Sequence, residues 1–97
     1  MKWAAVIEYV QDTARVEAAR PTHRAYLGEL LRTGRLVCAG PFADGHGALI
    51  VYEADTREAA EELMRNDPFH AAGVFVRWDL RPWKCVFGNP QLIQQVG

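Results

Sequence analysis

Apolar positions alternate from the first residues. Between Lys2 and Val10, one side of the chain carries Trp3, Ala5, Ile7 and Tyr9, and the other carries Ala4, Val6 and Val10 beside Lys2 and Glu8. This is the period of a strand, with both faces largely apolar. Residues 11–20 are polar and Ala-rich with no clear period. Pro21 then stands where a helix N1 proline belongs, opening "PTHRAYLGELLRTG", and Gly34 closes that helix. Within it His23, Leu27, Leu30 and Leu31 follow i, i+4, i+7, i+8 spacing, which sets the histidine on the same inward stripe as the leucines.

"RLVCAGPF" reads as a second strand ending at Gly40 and Pro41, and "ADGHG" as a hairpin connection built on Asp44-Gly45. "ALIVYEA" is the third strand. Asp55 or Thr56 caps the next helix, with Glu58 placed as in a capping box, and "REAAEELMRND" carries Ala59, Ala60, Leu63, Met64 and Asp67 along one face. The last strand, roughly Val74 to Phe87, places Val74, Val76, Trp78 and Leu80 on one side and Phe75, Arg77, Asp79 and Arg81 on the other. Pro82 suggests an edge or a bend there.

The order is βαββαβ, an α+β class with the ferredoxin-like arrangement: an antiparallel sheet whose two right-handed crossovers put both helices on one face. Strands 1 and 3 are apolar on both faces, so the second face needs a cover, and a homodimer packed sheet to sheet is the simplest. The expected organisation is one domain over residues 1–97, with a core of about 2–87 and a weakly patterned tail, 88–97.

The topology also predicts a site. Its two helices run opposite to each other, so the start of the first lies near the end of the second. His23 in one first turn and Asp67 in the other's last turn then meet at one edge, 44 positions apart in the chain. The same edge receives Tyr9, the turn Gly40-Pro41-Phe42, Asp44, His46, Phe69 and His70. A carboxylate on one ring nitrogen fixes a histidine's tautomer and leaves the other nitrogen as a general base or acid. The helix N-terminus disfavours an imidazolium and the carboxylate favours it, so the two influences oppose. Phe42, Phe69 and Trp78 offer apolar walls for a small planar molecule, and Gly40 allows close approach. Arg20 and Arg24 beside His23 either hold a substrate carboxylate or phenolate or are solvated helix-start residues.

Plainer readings stand beside these. His23 is also explained as a core histidine satisfied by a carbonyl. Asp67 is explained as the N-cap of a short helix "DPFHAAG", with Pro at N1; its two oxygens allow both roles. His46 and His70 read as turn residues. Metal-ligand spacings are absent, so neither a metal nor another cofactor is expected.

Composition narrows the class without changing this picture. The chain has 97 residues and is 49% hydrophobic, which suits one thin-cored domain that gains from a partner. A net charge of −1, with no basic run, argues against nucleic acid. No segment approaches membrane-spanning length and Glu8 interrupts the early apolar run, so no membrane or secretion signal is expected. Cys38 and Cys85 then read as buried thiols of a reduced, cytoplasmic protein.

"RPTHRAYLGELLRTGRLVCAGPF", "GALIVYEADTREAAEELMRNDPFHAAGVF" and "RPW" together resemble the YciI-like, or YCII-related, family over roughly Trp3 to Phe87. The resemblance implies a dimeric ferredoxin-like α/β-barrel and a His and Asp proposed as an active-site pair, matching His23 in "THRAYL" and Asp67 in "NDPF". One branch includes a dehydrochlorinase of a chlorinated, hydroxylated aromatic, and the wider superfamily includes muconolactone isomerases. The resemblance thus implies a cofactor-independent lyase or isomerase moving a proton on a hydroxylated or halogenated aromatic or a lactone. The alternative is a non-catalytic small-molecule-binding or regulatory dimer using the same pocket. The tail after Phe87 lies outside the shared pattern and is expected to pack on the partner or close the pocket.

Overall fold

The computed structural model describes residues 1–93. Strand β1 (Lys2–Tyr9) leads to helix α1 (Thr13–Arg32), strands β2 (Leu36–Pro41) and β3 (Gly47–Glu53), helix α2 (Arg57–Arg65), the short helix α3 (Pro68–Ala71) and strand β4 (Phe75–Trp83). The sheet order is β2-β3-β1-β4 with antiparallel pairing throughout, the ferredoxin-like α+β fold. Trp3, Ala5, Ile7 and Tyr9 are buried under the helices together with Ala48, Ile50 and Tyr52 of β3. Their registers, Trp3 opposite Tyr52, Ala5 opposite Ile50 and Ile7 opposite Ala48, follow from the strand period. Among the described residues no helix is long and apolar enough to cross a membrane.

Three local expectations are corrected. The first helix does not open at Pro21. It opens at Thr13, where the Asp12 side chain accepts from the Arg15 N–H, and Pro21 lies inside it. The Ala-rich segment before the proline is a good helix former. Pro21 removes one intrahelical bond, and its ring sits on the exposed side. Val16, His23 and Leu30, seven residues apart, form the buried stripe, so His23 is mid-helix. The helix stops as expected at Gly34, whose φ of +76° a side chain would resist.

On β4 the expected alternation breaks. Glu8 pairs with Arg77 but Tyr9 pairs with Phe75, so Val76 is an extra residue in a bulge. One extra residue flips every position beyond it: Phe75 turns inward with Trp78 and Leu80, and Val76 turns outward at 50% exposure. The strand ends at Trp83, which leaves Cys85 beyond it and exposed, while Cys38 is half-buried; burial, then nearby Cys85, pushes the Cys38 thiol up.

The third correction concerns Asp67 as the last turn of the second helix; its other reading, as the N-cap of the short helix in "DPFHAAG", holds. Helix α2, capped by Thr56 through the Ala59 N–H, ends at Arg65, and Asp67 is the N-cap of the separate helix α3 with Pro68 at its N1 position. On the face away from the helices, the cross-strand neighbours Val6 and Leu49 are exposed, and Val6 meets Asp79 of β4 on its other side. That face has the apolar character read from β1 and β3.

Candidate functional site

Asp67 is fully buried. Its Oδ1 accepts the Phe69 N–H at 2.9 Å, the capping bond of α3. Both of its oxygens also lie on His23 Nδ1, Oδ1 at 2.7 Å and Oδ2 at 2.8 Å. A carboxylate only accepts, so Nδ1 carries the proton, and in the neutral ring Nε2 holds the lone pair. Nε2 has no hydrogen-bond partner among the described residues. A buried carboxylate needs such partners to be tolerable, and the cap and the imidazole supply them. Because His23 is mid-helix, the positive end of the α1 dipole, which fades within a turn, does not act on the ring.

Aromatic packing fixes the ring plane. Phe69 stacks on His23 with centroids 3.8 Å apart and planes at 9°. Phe75, brought inward by the β4 bulge, meets His23 edge-on at 6.3 Å. Tyr9 packs edge-on to Phe69 at 5.4 Å and stacked on Phe75 at 6.2 Å. A histidine held by two carboxylate contacts and two rings keeps one orientation. Burial, and next the Asp67 charge, push the Tyr9 phenol up to about 12, with Arg20 and Arg24 pulling the other way. Tyr9 is thus a neutral donor at working pH. Tyr52, whose buried hydroxyl has no partner among the described residues, is likewise pushed upward by burial first and Asp67 next.

His23 and Tyr9 face a cavity of about 460 Å³ between α1 and the β2 edge of the sheet. Its α1 wall is Arg24, Leu27, Gly28 and Leu31; its sheet wall is Leu36, residues 37–41, Ala48 and Ile50; Ile93 reaches its mouth. Such a volume suits a small organic ligand. No group of three or more His, Cys, Asp or Glu side chains converges among the described residues.

A sequence model of the YCII-related domain family matches residues 1–84. The chain belongs to that family. It is 34% identical to "Protein YciI" of Escherichia coli, over 81% of this chain and 95% of that one, and 38% identical to "Uncharacterized protein YjpA" of Bacillus subtilis, over 67% and 81%. Among solved structures it is similar to 5-chloro-2-hydroxyhydroquinone dehydrochlorinase from Burkholderia phenoliruptrix in complex with 2,5-dihydroxybenzoquinone. That match has a TM-score of 0.76 and 22% identity, and covers 87% of this chain and 94% of that one. The likeness is one of fold.

Of the residues that the sequence pointed to in this YCII-related chain, His23 and Asp67 touch, and Tyr9, Gly40 and Pro41 line the cavity. Phe69 lies beneath His23 rather than in the cavity wall, and Arg20 lies near Tyr9. Phe42, His70 and Trp78 are not in the wall. The cavity opens at the β2 edge, whereas Trp78 is on β4 at the opposite edge, where it meets His70 at 5.6 Å; helix α3 turns Phe69 inward and His70 outward. Phe42 projects outward past the end of β2. Asp44 caps its own turn through the His46 N–H, and His46 is exposed.

Leu27 and Leu31 carried a signal in the helical stripe. On β2 the Gly40-Pro41 turn carried a signal, whereas Gly28 and residues 36–39 carried none, because an edge strand facing a helix across open space leaves no mark on the apolar pattern. The tail up to Ile93 reaches the cavity mouth; the expectation for its last residues, 94–97, lies outside the described residues.

Proposed function

We propose that this chain is a small enzyme that moves a proton without a cofactor, as a lyase or isomerase, with His23 as base and then acid and Asp67 as its positioning residue. The observation that carries the reading is the double contact of Asp67 on Nδ1, which leaves Nε2 as the acceptor beside the cavity. Nε2 takes a proton from carbon α to a carbonyl. In an isomerase the same proton returns at another carbon. In a lyase the electron pair left behind forms a double bond as a neighbouring group departs with its own pair, so that proton and leaving group are lost together. The likeness to a dehydrochlorinase supports halogenated hydroquinones as the first candidates; aromatic-pathway lactones, which the same proton transfer on carbon would isomerise, come next.

The enzyme works as a homodimer in this reading. Val6, Leu49 and Val76 on the uncovered sheet face support pairing face to face.

Turnover of a chlorinated hydroquinone or a muconolactone is the test. His23→Ala is expected to lower the rate by about 10²–10⁴-fold, the usual worth of a general base. Wild-type turnover that survives the substitution contradicts the reading. Saturable binding of these compounds without turnover assigns the pocket to a binding protein instead.

A further inference from the structure

Arg20, His23 and Arg24 stand at i, i+3 and i+4 on α1, so they share one side of the helix. Arg24 lines the cavity with His23 and Tyr9. Among the described residues neither Arg20 nor Arg24 takes part in an ion pair or a side-chain hydrogen bond. The one carboxylate at the site, Asp67, is already committed to His23 and to the cap of α3. Arg24 and Tyr9 therefore stand at the cavity beside the proposed base, with Arg20 one turn earlier on the same side of α1, and no anion of the protein's own answers the two guanidinium groups.

The other side chains that line the cavity are apolar, beside backbone of β2. Leu27, Leu31, Leu36 and Ile50 continue it away from His23, and the step of eight positions from His23 to Leu31 corresponds to about 12 Å of helix. Gly28 lies on that wall, in the interior of a helix where glycine costs roughly 1 kcal/mol against alanine. No close packing demands it, for a Cβ there would meet nothing within 4 Å. The glycine keeps the wall open where a larger side chain would project over the cavity.

We propose that Tyr9, Arg20 and Arg24 form an anion-binding subsite beside His23, and that the substrate is a carboxylate or phenolate carrying an apolar body that lies along Gly28 and Leu31. This names the substrate class for the proton-transfer reading and rests on it. Guanidinium groups bind the anionic oxygens in planar, forked geometry and Tyr9 donates its hydroxyl proton to them. The same cations stabilise negative charge that develops on a conjugated oxygen as Nε2 takes its proton.

The probes are para-butylbenzoate and its neutral counterpart para-butylbenzamide, with binding read from the NMR signals of His23 and Tyr9. The carboxylate is expected to bind at least about tenfold more tightly than the amide, and Arg20→Gln/Arg24→Gln to erase that difference by weakening the carboxylate alone. Gly28→Leu is expected to weaken both probes by about tenfold while leaving thermal stability unchanged or raised. Equal binding of the two probes, no binding of either, or indifference to these substitutions overturns the proposal. The two readings fail separately. Charge discrimination that persists while no substrate is turned over removes the chemistry and keeps the subsite. Turnover lost in His23→Ala without discrimination removes the subsite and keeps the chemistry.

Discussion

Asp67→Ala is expected to be both the most destabilising and the most inactivating single substitution at the site. It removes the acceptor of two donors at once, the Phe69 N–H and His23 Nδ1, in a place with no access to water. Leaving two buried neutral donors without an acceptor costs about 1–3 kcal/mol each, about 2–6 kcal/mol together, a large share of the roughly 5–15 kcal/mol that holds a small domain folded. For a domain of this size, that lowers Tm by about 10–30 °C, measured by calorimetry or circular dichroism. Asp67→Asn separates the two roles. Asn caps as well as Asp, so α3 survives at a cost of about 1 kcal/mol, but it offers one oxygen and no charge to Nδ1. Its turnover is expected to fall about 10²–10⁴-fold with Tm nearly intact. Equal losses of stability in Asn and Ala variants would argue that the charge, and not the cap, holds α3.

Phe69→Ala is expected to rank second. The ring is 1% exposed and packs on Tyr9, His23 and Phe75 together, so its loss leaves a cavity at the centre of the aromatic bed. Truncating a buried Phe to Ala costs about 3–5 kcal/mol. Phe69→Leu keeps much of the volume and is expected to cost only about 1–1.5 kcal/mol. It nevertheless removes the flat surface on which His23 lies at 3.8 Å, so turnover should fall by more than tenfold while Tm falls by only about 5–8 °C. A Leu variant with wild-type turnover would show that Asp67 alone orients the imidazole.

These expectations depend on contacts that the chain announces unevenly. The alternation of Trp3, Ala5, Ile7 and Tyr9 names the buried face of β1 without ambiguity, and the apolar stripe that includes His23 names a histidine turned inward. Once the strand order is read as βαββαβ, His23 and Asp67 are brought to one edge by topology alone, and they do touch. The route to that contact was legible only in outline. Pro21 imitates the start of a helix, and Val16 is the only large apolar residue on the turns before it, so the early half of α1 leaves no period to read. Asp67 serves both capping and pairing because helix α2 stops two residues before it, where Pro68 biases Asp67 into an extended conformation and opens α3.

The face assignments of β4 failed for a different reason. A bulge is a single inserted residue, and nothing in "GVFVRWDL" distinguishes a regular strand from one that slips at Val76. That slip puts Phe75 beside His23. The cavity was the least legible feature of all. Gly28, most of β2 and Ile93 line it unannounced beside Leu27, Leu31, Gly40 and Pro41, and open space between elements has no sequence signature. Phe42, His70 and Trp78 are the aromatic residues nearest in the chain pattern, yet the fold sends them elsewhere.

The central claim is that Asp67 holds the proton of His23 on Nδ1 so that Nε2 faces the cavity as a base. The ¹⁵N spectrum of the His23 imidazole, taken at a pH where the ring is neutral, reads that directly. The account predicts a protonated Nδ1 and a bare Nε2 in the wild type, with the Nδ1–H signal displaced or lost to exchange in Asp67→Ala. A wild-type ring carrying its proton on Nε2 would contradict it.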